Sequence, residues 1–471
     1  MKINLILANG EHDPFQKQYP FMPLVLPILA SCAPEHDYFF TDLLWDDIST
    51  IDFDGDYDLI GISFRVSATQ TAYKIADRFR EKNKPVVMGG PQVSCAPIKA
   101  KQHADSIVIG EGEFLWPLLL DDFQKGEMKD FYLSSAMPDL DLSGYSTYYL
   151  PDFPDISTLP KPVRGGFKSS YTFDMVFAAR GCPVNCHFCA VSRLFGTKMR
   201  YKNIPEVVEE INTLRKKYFL LDDNVFGRND SYDYYLELYK ELQKQKEKRF
   251  WTGQANLNAA ASEKGQEVIV NASRSGLTYA AIGFETINLK DLKQLSIAPK
   301  MGLGKDGDHL QQIADNVKFI QNQGIAISAW FTIGLENDTF ESIEQTIDFC
   351  KKYNIFPVLT PIQALEGTRF HSDLKEQNKI LDNTTNVSNA KISVISNVEF
   401  IQLLEINLKK AYTFRNLMRN TWFYFKKNKS LKQGFYKTAY RTIFVLITQI
   451  RMKKFLKKDV IRFKLRIKDE I

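Results

Sequence analysis

The chain has 471 residues, too many for one domain of ordinary size, so two to four are expected. Its apolar share of 44% and charged share of 25% suit a globular protein with a sizeable core, and six cysteines over this length exclude a disulfide scaffold. The net charge of +5 is uneven: from Lys426 to Ile471 fifteen Lys or Arg face Asp459, Asp469 and Glu470, a surplus of 12 that leaves −7 for the rest, so the body is not basic enough to suggest nucleic acid.

In chain order, the opening MKINLILANGEHD holds a short apolar run, Ile3–Ala8, but no secretory segment with a cleavage site. No stretch of 18 apolar residues appears, so no membrane span is expected and the cytoplasm is the default location. Pro23–Cys32 reads as a helix, Leu59–Phe64 as a buried strand and Thr69–Arg80 as a helix. Pro85–Met88 runs into Gly89-Gly90, and Ser106–Ile109 into Gly110-Glu111-Gly112-Glu113. Apolar strands that end in glycine and alternate with helix-length segments imply a parallel sheet covered on both faces. From about Asp130 to Tyr171 the chain is rich in Pro, Asp, Ser and Gly and reads as an extended, weakly structured connector.

The αβ rhythm then restarts. Candidate strands are Asp174–Ala179, Tyr218–Asp222, Phe250–Ala255, Thr278–Glu285, Ala326–Thr332 and Phe356–Pro361, with helical patterns such as Ile204–Lys217 and Asp308–Gln323 between them. Six βα units suggest a partial barrel more than a flat sheet. Beyond about Leu374 the strand signals cease; helices follow, with a loop at Asn383–Asn389.

Cys182, Cys186 and Cys189 lie within eight residues, directly after the first strand of the second series, where barrels carry their chemistry on βα loops. Thiolates spaced CxxxCxxC on one loop can grip three irons of a cubane and leave the fourth open to a substrate. A zinc site completed by His187 and a chance cluster are the competing readings. Cys32, Cys95 and Cys350 read as ordinary buried thiols.

The motif, with Phe188 before its last cysteine, resembles the signature of the radical SAM superfamily. The resemblance implies a [4Fe–4S] cluster on Cys182, Cys186 and Cys189, whose open iron chelates S-adenosylmethionine (SAM) and reduces it to a 5′-deoxyadenosyl radical. It places Phe188 near the adenine. The tight loop suits Gly181 and Pro183. Further marks at candidate strand ends are Asp222 and Asp223, Gln254, Glu285 and Gly334, each also readable as a helix cap, ion pair or turn. Asp338 and Thr339 read as the start of a helix.

The N-terminal segments Ile60–Ser63, Val86–Pro91 and Ala104–Glu113 resemble the cobalamin-binding domain of one branch of these enzymes. On that resemblance Ser63, Gly89 and Gly90 would approach cobalamin. The Asp-x-His-x-x-Gly loop that supplies a lower axial histidine is absent, and His12 reads as a loop residue rather than a cobalt ligand. The expected fold is therefore α/β: a Rossmann-like cobalamin-binding-type domain over 1–130, a linker over 131–171, a partial (β/α)6 TIM-like barrel over 172–375, and a helical region with a basic tail over 376–471. The expected function is cobalamin-dependent methyl transfer to an unactivated carbon of a small molecule, lipid or peptide, with flavodoxin or ferredoxin as reducing partner. A radical SAM cyclase or oxidase, and a sensor without catalysis, are the alternatives. The C-terminal helices are the expected place for substrate selection. The basic, aromatic tail admits contact with an anionic membrane surface, contact with nucleic-acid phosphates, or a solvated helix with snorkelling lysines.

Overall fold

The computed structural model describes all residues except 11–16, 18–19, 135–139, 151, 166–170, 305–306, 383–385, 433 and 468–471. The first sheet is built from β1 (Lys2–Leu7), β2 (Asp37–Asp42), β3 (Leu59–Ser63), β4 (Val86–Gly89), β5 (Ser106–Ile109), β6 (Phe131–Leu133) and β7 (Thr147–Tyr149). The strands run parallel in the order β2-β1-β3-β4-β5-β6-β7. Alternate residues feed two cores: Ile60 and Ile62 join one, Leu59 and Val87 the other, as the period of two requires of a sheet covered on both faces. The order reverses between β1 and β3, and such a switch point opens a crevice at the carboxyl ends of the strands.

The segment expected as a connector contributes β6 and β7, which extend this sheet, and a short 3-10 turn at Ile156–Thr158. The edge strand β2 was not among the sequence expectations; Asp37, Thr41 and Asp42 break the apolar run that marked its neighbours, and only one of its six residues is buried.

The second sheet takes β8 (Asp174–Val176), then, after the small antiparallel pair β9 (Ala179–Arg180) and β10 (Arg200–Tyr201), β11 (Lys217–Leu220), β12 (Phe250–Ala255), β13 (Leu277–Glu285), β14 (Ala326–Ile333) and β15 (Phe356–Pro361). The six long-range partners lie in the order β15-β14-β13-β12-β11-β8, all parallel, an open barrel. Every carboxyl end therefore points to one rim.

Three long helices follow, Asn397–Ala411, Phe414–Ser430 and Phe435–Arg466. Their apolar faces share the barrel's core. Arg441, fully buried, donates to the carbonyls of Ser273 and Leu277, and the Tyr424 hydroxyl meets Ile327 N–H at 3.3 Å. Leu277 and Ile327 stand at the amino ends of β13 and β14, so Arg441 and Tyr424 cover the rim opposite the cysteines, while Phe400 of the first of these helices adjoins Gly334 just after β14. Residues 387–389 pack beside the carboxyl end of β15, where Ala364 N–H donates to Asn389 Oδ1 at 2.7 Å. Cys350 is buried as expected, whereas Cys32 and Cys95 are half-buried. Among the described residues no helix is long and apolar enough to cross a membrane.

Candidate active site

The cysteine loop leaves β9 through Gly181 at φ +99°, where an added Cβ would stand 2.3 Å from the Lys198 carbonyl oxygen; only glycine fits. Cys182 N–H donates to Gly196 O at 3.1 Å, Asn185 turns in the left-handed region, and Cys189 N–H donates to Cys186 O at 3.1 Å. The three thiols are free and lie close enough to influence one another electrostatically. Burial pushes all three up, Cys189 to about 12, so each carries its proton until a metal displaces it. His187 is held by the Asp373 carboxylate at 2.8 Å. Among the described residues no three His, Cys, Asp or Glu side chains are gathered for a single ion.

At the end of β13 the register with β14 shifts between Gly283 and Glu285, and Glu285 has φ +60°. Bulges of this kind re-aim a side chain beside active sites. The Glu285 carboxylate takes a hydrogen bond from Thr332 at 2.8 Å and pairs with Lys300. Burial opposes charge on Lys300, yet the Glu285 carboxylate holds its pKa above the ordinary value, and Cys186 and Cys189 lie close enough to act on it once ionised. A buried ammonium thus faces the cysteine loop. It comes from the 3-10 turn Ala298–Met301, and no sequence motif marked it.

The two aspartates after β11 have different tasks. Asp222 is buried and accepts from Ala178 N–H, Ala179 N–H and the Tyr235 hydroxyl, at 2.8, 3.1 and 3.0 Å. It ties down the strand that delivers the cysteines, and burial raises its pKa to about 6. Asp223 is half-buried, and burial, reinforced by Asp222, raises it to about 7.

A cavity of about 440 Å³ lies where the two rims face each other. From the first sheet's side come Ser63, Gly89 and, just after β4, Gly90; from the barrel's side come Arg180 of β9, Asp223 after β11 and Gln254 of β12. Gly90 has φ +98°, and its added Cβ would stand 2.6 Å from Ser63 Oγ. At Gly89 an added Cβ would make only ordinary contact with Val108 at 3.6 Å, so the protein itself does not demand the glycine. The lining, with Leu24, Phe64 and Phe177, is largely apolar, which suits a ligand with apolar faces. No histidine is found among the described residues lining the cavity.

Buried ion pairs hold the rims together. Arg180 donates to Glu111 at 2.7 Å and also pairs with Glu113, while Arg200 donates to Glu111 at 2.6 Å. Burial opposes the charge on Glu113, but the Arg180 guanidinium keeps its carboxyl below the ordinary value. The segment Gly110–Glu113 is itself pinned: Gly110 N–H donates to Ser94 Oγ at 2.9 Å and Glu111 N–H to Ser134 Oγ at 2.7 Å.

The cavity therefore gathers Ser63, Gly89, Gly90, Asp223 and Gln254. Glu285 sits by the cysteine loop through Lys300. Gly334, at φ +87°, adjoins Phe400 and gives its N–H to Asp338 at 2.9 Å. Phe188 packs half-buried against the barrel core. Phe188, Gly334, Glu285 and the three cysteines are not part of the cavity lining. Thr339 caps the helix Phe340–Lys352 as expected. His12 falls outside the described residues.

Comparison with known proteins agrees with this geometry. The family described as the radical SAM superfamily matches residues 176–350. Two similar proteins of Chlorobaculum tepidum are bacteriochlorophyllide d C-8(2)-methyltransferase, 28% identical over 94% of each chain, and the C-12(1)-methyltransferase, 29% identical over 77% of this chain and 75% of its own. The hopanoid C-2 methylase of Rhodopseudomonas palustris is 24% identical over 80% of this chain and 70% of its own. Among solved structures, the cobalamin-dependent SAM radical enzyme OxsB superposes with a TM-score of 0.66 at 14% identity, over 93% of this chain and 71% of its own. The radical SAM methyltransferase TsrM of Kitasatospora setae gives 0.62 at 15% identity, over 81% and 79%. The cysteine loop thus lies inside the segment, residues 176–350, that matches the radical SAM superfamily, and the fold around it is similar to those of OxsB and TsrM.

Proposed function

We propose that the protein is a cobalamin-dependent radical SAM methyltransferase that adds a methyl group to an unactivated carbon of a small molecule. The observation that carries this reading is the cavity between the two rims, with Ser63, Gly89 and Gly90 on one side and Arg180, Asp223 and Gln254 on the other, the cysteine loop following directly after Arg180. When bound, the cluster and SAM supply a radical able to remove hydrogen from carbon, and cobalamin supplies the methyl group.

The chain's own residues hold and shield these groups. Cys182, Cys186 and Cys189 would grip the cluster, with Gly181 and Asn185 fixing the loop. Lys300 and Glu285 would meet the zwitterionic end of SAM, and Asp223 and Gln254 stand where its remaining polar atoms would lie. Ser63, Gly89 and Gly90 would pass beneath cobalamin. Leu24, Phe64 and Phe177 keep water from the space between. The methyltransferases of bacteriochlorophyllide d and hopanoids among the similar proteins support an apolar substrate. A flavodoxin or ferredoxin would deliver the electron.

The test is anaerobic turnover with SAM labelled in its methyl group and a panel of apolar acceptors. Label on carbon in the product, dependent on added cobalamin, is expected. Formation of 5′-deoxyadenosine without label in product would replace methyl transfer by cyclase- or oxidase-type chemistry.

A further inference from the structure

The last helix, Phe435–Arg466, buries one side against the barrel core and turns an apolar stripe to solvent. Ile443, Ile447, Ile450, Ile461 and Leu465 repeat at helical spacing and are each between 40 and 60% exposed. Lys454, Lys457 and Lys458 fill the gap in the stripe, all exposed. The helix before it, Phe414–Ser430, exposes Phe414, Met418 and Trp422 at intervals of four, and Phe435 and Tyr436 are bare at the start of the last helix. A soluble protein rarely leaves so many large apolar side chains uncovered on adjoining helices.

We infer that this face docks on the surface of an anionic phospholipid bilayer. Charge complementarity selects that occupant. The segment from Lys426 onward carries a surplus of 12 positive charges, and aliphatic and aromatic residues are interleaved with them along the exposed faces. A helix lying in the bilayer interface needs this combination: apolar side chains that enter the acyl boundary and lysines that meet the headgroups. A second copy of the chain would set the same surplus of positive charge against itself. Nucleic acid would use the lysines and leave the isoleucines bare. The helix does not span the bilayer; it lies along it. The inference is independent of the cofactors and the reaction.

The test uses the full chain without cofactors, sedimented with vesicles of phosphatidylcholine alone or of two parts phosphatidylcholine to one part phosphatidylserine. Binding to the anionic vesicles is expected, weakening as salt rises. Lys454→Gln/Lys457→Gln/Lys458→Gln lowers the partition coefficient about a hundredfold. Ile443→Ser/Ile447→Ser/Ile450→Ser lowers it at least tenfold. Both sets change exposed positions, and circular dichroism confirms that the fold is kept; should the serine variant misfold, the glutamine variant decides. Equal recovery with neutral and anionic vesicles, or anionic binding unchanged in both variants, overturns the inference. So does self-association in sedimentation velocity that the serine variant abolishes while vesicles recover no protein.

Discussion

Replacing Glu111 by glutamine removes one charge from the cluster that joins the two rims. The side chain is fully buried and accepts from Arg180 at 2.7 Å and from Arg200 at 2.6 and 3.1 Å. In the variant Arg180 keeps Glu113, but Arg200 keeps only the carbonyls of Pro154 and Phe195, at 2.8 and 3.0 Å. Two unit charges about 4 Å apart interact by about 4 kcal/mol at an effective dielectric near 20, and breaking one partner out of a buried pair costs about 3–5 kcal/mol. With a urea slope of about 3 kcal/mol per molar, the unfolding midpoint falls by about 1 M or more. Tryptophan fluorescence and far-ultraviolet circular dichroism should both follow the transition, since a chain of two αβ parts need not unfold in one step. The double variant Glu111→Gln/Arg200→Met recovers part of the loss, because the stranded guanidinium is gone. A midpoint lowered by less than about 0.2 M, or additive effects in the double variant, would refute the view that this cluster locks the rims.

Gly181→Ala should leave the barrel folded yet lower iron bound per chain several-fold after anaerobic reconstitution, because the new methyl meets the Lys198 carbonyl. Lys300→Met leaves Glu285 with Thr332 as its hydrogen-bond donor; SAM binding by equilibrium dialysis should weaken at least tenfold, while a change below twofold would remove Lys300 from the site. Burial chiefly raises Asp338 to about 7, against an ordinary carboxyl value of 3.8. A raised acid contributes stability that is full below the unfolded value and lost as pH rises through the folded one. The melting temperature should therefore fall between about pH 4 and pH 7, and Asp338→Asn should flatten that decline.

The two αβ series were legible because buried parallel strands read as unbroken apolar runs: Ser106–Ile109 and Phe250–Ala255 match the structure to the residue. The strands β6 and β7 were not, because three residues within a Pro- and Asp-rich stretch carry too little pattern to register. The cysteine loop stood out by spacing alone. Lys300 did not, since its closeness to Glu285 and the cysteines arises only when β13 and the following turn fold back on the rim. Asp222 and Asp223 looked alike in sequence, and the hydrogen bonds from Ala178, Ala179 and Tyr235 separate the structural residue from the one facing the cavity. Gly110–Glu113 was marked by resemblance; its physical task, engaging Arg180 and Arg200, depends on a domain contact that no local pattern encodes.

The central claim, that one cavity between two sheets brings a cysteine-held cluster and cobalamin together, is tested most directly by loading both. Protein reconstituted anaerobically with iron, sulfide and cobalamin should hold one [4Fe–4S] cluster and one cobalamin per chain. Cys182→Ala/Cys186→Ala/Cys189→Ala should lose the cluster and keep cobalamin, and Gly89→Phe should lose cobalamin and keep the cluster. Cobalamin that fails to bind the wild-type chain, or binds Gly89→Phe equally well, would contradict the account.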